Sequence, residues 1–312
     1  MSEIIDRHFS AFKGELTKLY GFKPGYHFLD LTLGDGGHTE EALSAGCRVV
    51  SFDVDPEAIK RAIDFVPKKY KPLIIDPEQV TENIPKAFTW VIIKSNFVKV
   101  AEIVKSLALP KFDGIMADLG PSQYQVLSPG RGFSFSVDEP LDMRLDKNLG
   151  VTAADLLAVL NEGELSDLFD IADEPFAKPL ARIIVKQRQI TPIVTTKQLS
   201  EIVSKVKRFR IQGKIHPATQ VFMALRMAVN LERDNIRELI PHLPELLNKG
   251  GVVGVISFHS GEDKIIKEYF EEMENKQILR AINKKPIEPS DKELQISQRT
   301  RSAKLRLAKK YS

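Results

Sequence analysis

The stretch Asp30-Leu-Thr-Leu-Gly34-Asp-Gly36-Gly37-His38-Thr39 brings acids, glycines and a histidine together in one short segment. It lies between an apolar run, Tyr26-His-Phe-Leu29, and Glu40-Glu-Ala-Leu43, which reads as the first turn of a helix. Strand, tight loop and helix in that order make a ligand-binding turn. Glycine admits positive φ and close approach by backbone N–H groups, while the helix start offers unpaired donors and a positive dipole end. A second apolar run, Cys47-Arg-Val-Val-Ser-Phe52, delivers Asp53 and Asp55 to the end of the next strand. In βαβ units an acid about 20 residues beyond a glycine loop accepts hydrogen bonds from ribose hydroxyls, so a nucleoside-containing cofactor is implied. Thr39 occupies the last position of a GxGxxG reading, which disfavours a dinucleotide. The loop alone leaves three readings open: an S-adenosylmethionine-dependent methyltransferase, another nucleotide site, and a purely structural turn.

Three further strand-like runs end on polar residues. Trp90-Val-Ile-Ile93 exits at Ser95, Asn96 and Phe97, where Phe97 either stacks on an adenine ring or belongs to the core. Phe112-Asp-Gly-Ile-Met-Ala-Asp118 ends on an acid beside Gly120 and Pro121, and Val252-Val-Gly-Val-Ile-Ser-Phe258 ends at His259-Ser-Gly-Glu262-Asp263. Such repetition is expected of a parallel sheet whose site lies along the carboxyl edge of its strands.

The elements that must position these residues follow from chain length and pattern. With 312 residues and 43% hydrophobic content, the chain can bury one large core or two smaller ones. No run approaches a membrane span, and Met1-Ser-Glu-Ile-Ile-Asp lacks the features of a secretory signal, so no membrane association and a cytoplasmic location are expected. Cys47 is the single cysteine, which rules out an internal disulfide and a multi-cysteine metal centre. The net charge of +3 names no partner. Its distribution points to phosphates at Lys205-Val-Lys-Arg-Phe-Arg210 and at Arg299 to Arg306 with Lys309 and Lys310, against the plainer reading of a solvated helix face and a frayed tail.

Phe9, Phe12, Leu16 and Leu19 at helical spacing predict an amphipathic lead-in, and Pro56 opens a helix through Ile63. The proline-punctuated stretch from Val66 to Thr89 has no clear pattern. Between Gly120 and His216 a long loop, carrying Arg131-Gly-Phe-Ser-Phe135 and Pro140-Leu-Asp142-Met-Arg144, precedes helical segments at 152–160, 164–172, 176–189 and 196–209. The absence of a strand pattern there predicts an inserted helical domain at 120–215, between sheet-forming parts at 1–119 and 216–312. From His216-Pro-Ala-Thr219 one long helix is expected, its stripe formed by Phe222, Leu225, Val229, Ile236 and Ile240, and it ends near Lys249-Gly-Gly251. Strands at 277–282 and 303–308 close the pattern.

Taken together, Thr32-Leu-Gly-Asp-Gly-Gly-His38, Asp53-Val-Asp-Pro56, Asp118-Leu-Gly120, Arg131-Gly-Phe-Ser-Phe135, Leu141-Asp-Met-Arg144, His216-Pro-Ala-Thr219, Ala224-Leu-Arg226, Ser257-Phe-His-Ser260 and Arg301-Ser-Ala-Lys-Leu-Arg306 resemble the RsmH (MraW) family. The likeness runs in order from about Gly25 to Arg306, and the stretch from Asp64 to Ile93 is longer than is usual there. It implies a Rossmann-like methyltransferase sheet interrupted by a helical substrate domain. It further implies that S-adenosyl-L-methionine methylates the N4 amine of a cytidine in the decoding centre of small-subunit ribosomal RNA. The implied cofactor contacts are Gly36, Gly37, His38, Asp53, Phe97, Asp118 and Gln125, the last from the resemblance alone. The implied partner is small-subunit ribosomal RNA or the small ribosomal subunit, with no metal required and the oligomeric state open.

Cytosine N4 is a poor nucleophile because its lone pair is delocalised into the ring, so an acceptor at the amine is needed. Asp118 and Asp142 are the candidates, with a salt bridge to Arg144 as the alternative role for Asp142. Arg131, Arg144, Lys207 and Arg210 are candidate RNA contacts, and Phe133 and Phe135 are either base-stacking or core. His259 either contacts RNA, joins Glu262 and Asp263 in metal binding, or simply closes its strand, with Ser260 and Asp263 fitting a helix cap. The rival from another class is a weakly active or inactive RNA-binding ribosome-assembly factor that retains the fold.

Overall fold

The apolar runs form eight strands: β1 (His27–Asp30), β2 (Arg48–Asp53), β3 (Leu73–Ile75), β4 (Trp90–Lys94), β5 (Phe112–Asp118), β6 (Leu247–Ser257), β7 (Leu279–Ala281) and β8 (Lys304–Lys310). The computed structural model describes residues 9–78, 84, 87–207 and 216–311. The strands lie in one sheet in the order β3-β4-β2-β1-β5-β6-β8-β7. Neighbours from β3 to β6 are parallel, and β8 runs antiparallel to both β6 and β7. Strand order reverses beside β1, the switch point at which open α/β sheets bind ligands.

Two layers cover the sheet, which explains why β2, β4 and β5 read as nearly unbroken apolar runs. Side chains alternate along each strand. Leu29, Val50, Ile93, Ile115 and Val253 face Ile103, Ile236 and Phe270 on one side, while Phe28, Val49, Ile92, Met116 and Ile256 face Phe12, Leu43 and Ile59 on the other. Part of the unassigned stretch after Val66 is β3, an edge strand whose Leu73 and Ile74 are exposed.

The chain forms two compact units, Met1–Gly120 with Asp234–Ser312, and Pro121–Arg233. The second contains the helices Ala153–Val159, Glu162–Asp170, Ala177–Arg188, Thr196–Lys207 and Thr219–Val229 around Leu165, Phe169, Leu180, Leu199 and Leu225. It extends past the expected return at residue 215. The long helix expected from His216 is also broken: it ends at Val229, Leu231 takes φ 51, and a separate helix runs Glu232–Leu239. The one apolar stripe serves two cores. Phe222, Leu225 and Val229 are buried in the helical unit, and Ile236 and Ile240 in the sheet unit.

The lead-in differs as well. Only Leu16–Tyr20 is helical, because Phe12 adopts φ 57 and Ser10, Ala11 and Phe12 turn inward to be buried. At the other end, the basic run is no frayed tail: Leu305 and Leu307 are core, and the Arg306 guanidinium grips the Asp263 carboxylate through Nε (2.6 Å) and Nη2 (2.9 Å). Asp263 is therefore an ion-pair partner and not a cap. His259 takes the N-cap of the Ser260–Asn275 helix, with Glu262 completing the box. Arg299 and Arg301 stay exposed. Among the described residues, no helix is long and apolar enough to cross a membrane.

Breaking a buried pair from one side strands the other charge. Arg306→Met should cost about 3 kcal/mol in urea unfolding, and adding Asp263→Leu should recover part of it. An unchanged midpoint for the single variant would contradict this account.

Candidate active site

The carboxyl ends of four adjacent strands, β4, β2, β1 and β5, carry Phe97, Asp53, the glycine loop and Asp118 in that spatial order. The loop is built on a buried carboxylate. Asp30 at the end of β1 is fully buried and accepts from the Thr32 N–H (3.2 Å) and the Thr39 hydroxyl (2.7 Å). Thr39 Oγ1 lies 2.8 Å from Ser51 Oγ, and the Trp90 indole N–H donates to Ser51 at 3.1 Å. One network thus joins β1, β2, β4 and the helix Gly37–Ser44. The threonine that spoils the GxGxxG pattern is the residue that closes this network. The run Val-Val-Ser51-Phe, a lone hydroxyl in a buried strand, was its only trace in the sequence.

Gly36 is the N-cap of that helix, with φ 76. Gly37 follows at the first helical position, and a Cβ there would collide with the Ser10 side chain. Burying Ser10 against the loop requires glycine for close approach. His38 is buried too, its Nε2–H donating to the Ala11 carbonyl at 2.8 Å. The ring's Nε2 is therefore engaged by the lead-in segment. Glu293, a residue the sequence did not single out, accepts the Phe12 N–H at 3.1 Å and braces the same segment.

Asp53 accepts from the Gly34 N–H (2.8 Å) and the Asp55 N–H (2.9 Å), one on each oxygen. Each oxygen keeps a second acceptor position. Burial pushes Asp53 up to about 7, against the pull of those two hydrogen bonds. Asp55 caps the helix Pro56–Phe65 through the Glu57 N–H. Phe97 opens a short turn capped by Asn96 and is half-buried against the core. Asp118 accepts nothing on Oδ1, which is buried without a hydrogen-bond partner. Burial raises Asp118 to about 7, with His38 opposing and Asp30 and Glu293 reinforcing. An orphaned carboxylate oxygen shut off from solvent beside the glycine loop suits a cationic, hydrogen-bonding ligand and is costly without one.

The remaining candidates are in the helical unit or beyond the strands. Gln125 forms a capping box with Ser122, its Oε1 accepting the Ser122 N–H at 2.8 Å. Asp142 and Arg144 are bidentate partners (2.7 and 2.9 Å), and Arg144 also donates to the carbonyls of Lys147 and Leu149. The guanidinium holds the Asp142 carboxyl below its usual range, so the loop-shaping role is the one this geometry favours. Arg131 is buried and donates to the carbonyls of Arg144 and Leu145. Gly132 beside it has φ 71, and a Cβ would strike Asp142 N and the Pro140 carbonyl. Lys207 was expected to face RNA; it is instead buried against Glu174 and donates to the Pro217 carbonyl. Arg210 lies outside the described residues. His259 Nδ1 accepts the Gly261 N–H at 3.1 Å. Among the described residues no cluster of three or more His, Cys, Asp or Glu is placed to hold a metal.

The doubly wound sheet, with its glycine loop and the acids along its rim, is a Rossmann-like frame, and the family match makes it that of an S-adenosylmethionine-dependent methyltransferase. The orphaned Asp118 oxygen and the open acceptor positions of Asp53 fit that donor. More narrowly, the chain belongs to the MraW methylase family, whose family model matches residues 6–311. It is 36% identical to the ribosomal RNA small subunit methyltransferase H of Carboxydothermus hydrogenoformans, over 98% of both chains. The proteins of that name from Picosynechococcus sp. and Synechocystis sp. are 40% and 39% identical, over 97% of this chain and 96% and 93% of theirs.

Two measurements check the site. Thr39→Val leaves the Asp30 carboxylate short of a donor and should cost about 2 kcal/mol, read by denaturant unfolding. Asp53 and Asp118 bind protons more tightly folded than unfolded, so their contributions to stability are present near pH 4 and fade as pH rises towards about 7. Asp118→Asn should therefore gain stability relative to the parent as pH rises from 5 to 8, in thermal scans at each pH. A pH-independent difference between the two proteins would refute the assignment.

Proposed function

We propose that this protein transfers the methyl group of S-adenosylmethionine to the N4 amine of a cytidine in the decoding centre of small-subunit ribosomal RNA. The observation that carries the chemistry is the half-buried Asp118 carboxylate at the rim of β5, with one oxygen shut off from solvent and orphaned, and with burial pushing it up to about 7. The naming of the relatives supports the ribosomal RNA substrate.

Four neighbouring strand ends span about 14 Å at roughly 4.8 Å per strand, a reach suited to an extended adenosyl amino acid. Phe97 offers a face to the base, Asp53 accepts from ribose hydroxyls, and the Gly36, Gly37 and His38 backbone at the helix start takes the amino-acid end, with Gln125 joining them by the resemblance. The donor supplies a methyl carbon on a positively charged sulfur. In-line displacement then asks the protein chiefly to align and to exclude water. Asp118 accepts a hydrogen bond from the N4 amine, draws its lone pair out of conjugation and takes up the proton released on methylation. A carboxylate titrating near neutrality holds the proton only transiently. Asp142, already bonded to Arg144, shapes the loop that carries Arg131. The cytosine leaves its stack to react, at a cost of a few kcal/mol, and the helical unit provides RNA contacts that offset it.

Turnover should rise with pH through about 7, and Asp118→Asn should lower kcat by about 100-fold or more and abolish that rise. Nucleoside mass spectrometry of small-subunit RNA, made with and without the protein, should show N4-methylcytidine only when it is present. Absence of S-adenosylmethionine binding in calorimetry would instead favour the assembly-factor alternative.

A further inference from the structure

The motif His216-Pro-Ala-Thr219 has no role in the chemistry above, yet its histidine is held in a defined way. The imidazole lies flat on the Phe135 ring, with centroids 4.2 Å apart and planes 16° from parallel. Phe135 in turn meets Phe222 edge-on at 5.3 Å and 88°, and Phe222 is buried in the helical core. Nδ1 accepts the Ala218 N–H at 3.2 Å. The His216 carbonyl accepts both the Thr219 N–H (3.0 Å) and its hydroxyl (2.8 Å). Ring and backbone are thus anchored from two sides, while the residue as a whole is exposed.

We infer that His216, backed by Phe135, is a stacking platform for an unpaired nucleobase of the RNA substrate. Because Nδ1 is an acceptor, the proton of the neutral ring is on Nε2, which leaves a donor at the outer edge for a base or phosphate oxygen. One face is covered by Phe135. The other is the kind of surface on which proteins stack splayed-out bases, and single-stranded RNA is recognised mainly in this way. Prior immobilisation of the ring lowers the ordering cost of binding. Its local role as a turn acceptor needs only an oxygen or nitrogen at this position, and does not account for a ring lying parallel to an aromatic neighbour. This inference deepens the RNA-methylation reading and rests on it for the identity of the ligand.

Two substitutions separate the roles. His216→Phe keeps an aromatic face and loses the Nδ1 acceptor; His216→Asn keeps a side-chain acceptor for the Ala218 N–H and loses the face. The full-length protein is titrated into a single-stranded RNA oligonucleotide carrying 2-aminopurine, whose fluorescence is quenched by stacking. The parent and His216→Phe should quench alike, with His216→Phe binding only about a few-fold more weakly for want of the Nε2 donor, and His216→Asn should lose quenching and bind roughly 5- to 100-fold more weakly. S-adenosylmethionine affinity and circular dichroism should be unchanged in all three. Parent-like quenching by His216→Asn, or its loss in His216→Phe alone, would overturn the platform. Quenching by a parent protein that does not methylate small subunits would instead overturn the proposed activity and leave the platform standing.

Discussion

Everything at the rim depends on the burial of one carboxylate. Asp30 is withdrawn from water at the point where β1 ends, and an acceptor position on each of its oxygens must be filled locally. Thr32 and Thr39 fill them, and Thr39 passes the connection through Ser51 to the Trp90 indole. The exit of the central strand, the start of the first helix after it and the two strands alongside are therefore tied to one another by hydrogen bonds that have no solvent to compete with them. Glycines make the loop tight; this network decides where it points.

The acids around it divide by environment. Asp53 and Asp118, on the same face of the sheet, are raised by burial. Asp142 is lowered by the guanidinium that grips it. Carboxylates of the same chemical type are thereby suited to different work, one kind to bind a cation or exchange a proton and the other to hold a loop still. The loop itself uses its arginines inwardly: Arg131 and Arg144 close it by donating to backbone carbonyls.

The sheet was legible because both of its faces are covered, so β2, β4 and β5 carry long apolar runs and end on polar residues. Its acids were legible for the same reason. Less visible were features that depend on partners distant in the chain. The stripe from Phe222 to Ile240 keeps helical spacing across a break, since periodicity does not reveal that Val229 and Ile236 enter different cores. Lys207 and Arg306 belong to basic runs that read as surface, and only the tertiary positions of Glu174 and Asp263 show them to be buried pairs. The lead-in has helical spacing but turns at Phe12, where the Glu293 carboxylate takes its N–H. Short strand β3 lacked a pattern because its side chains on the exposed edge are not constrained by a core.

The central pairing of β5 with β6 joins Asp118 to Ile256 across a stretch that contains the whole helical unit. A disordered connection of that length would slow the meeting of the two strands through the entropy of loop closure. The helical unit has its own hydrophobic cluster, made entirely of residues between Phe133 and Val229. It is equipped to collapse early from local contacts and convert a long floppy tether into a short folded one. The insertion would then also act as the assembly jig for the sheet.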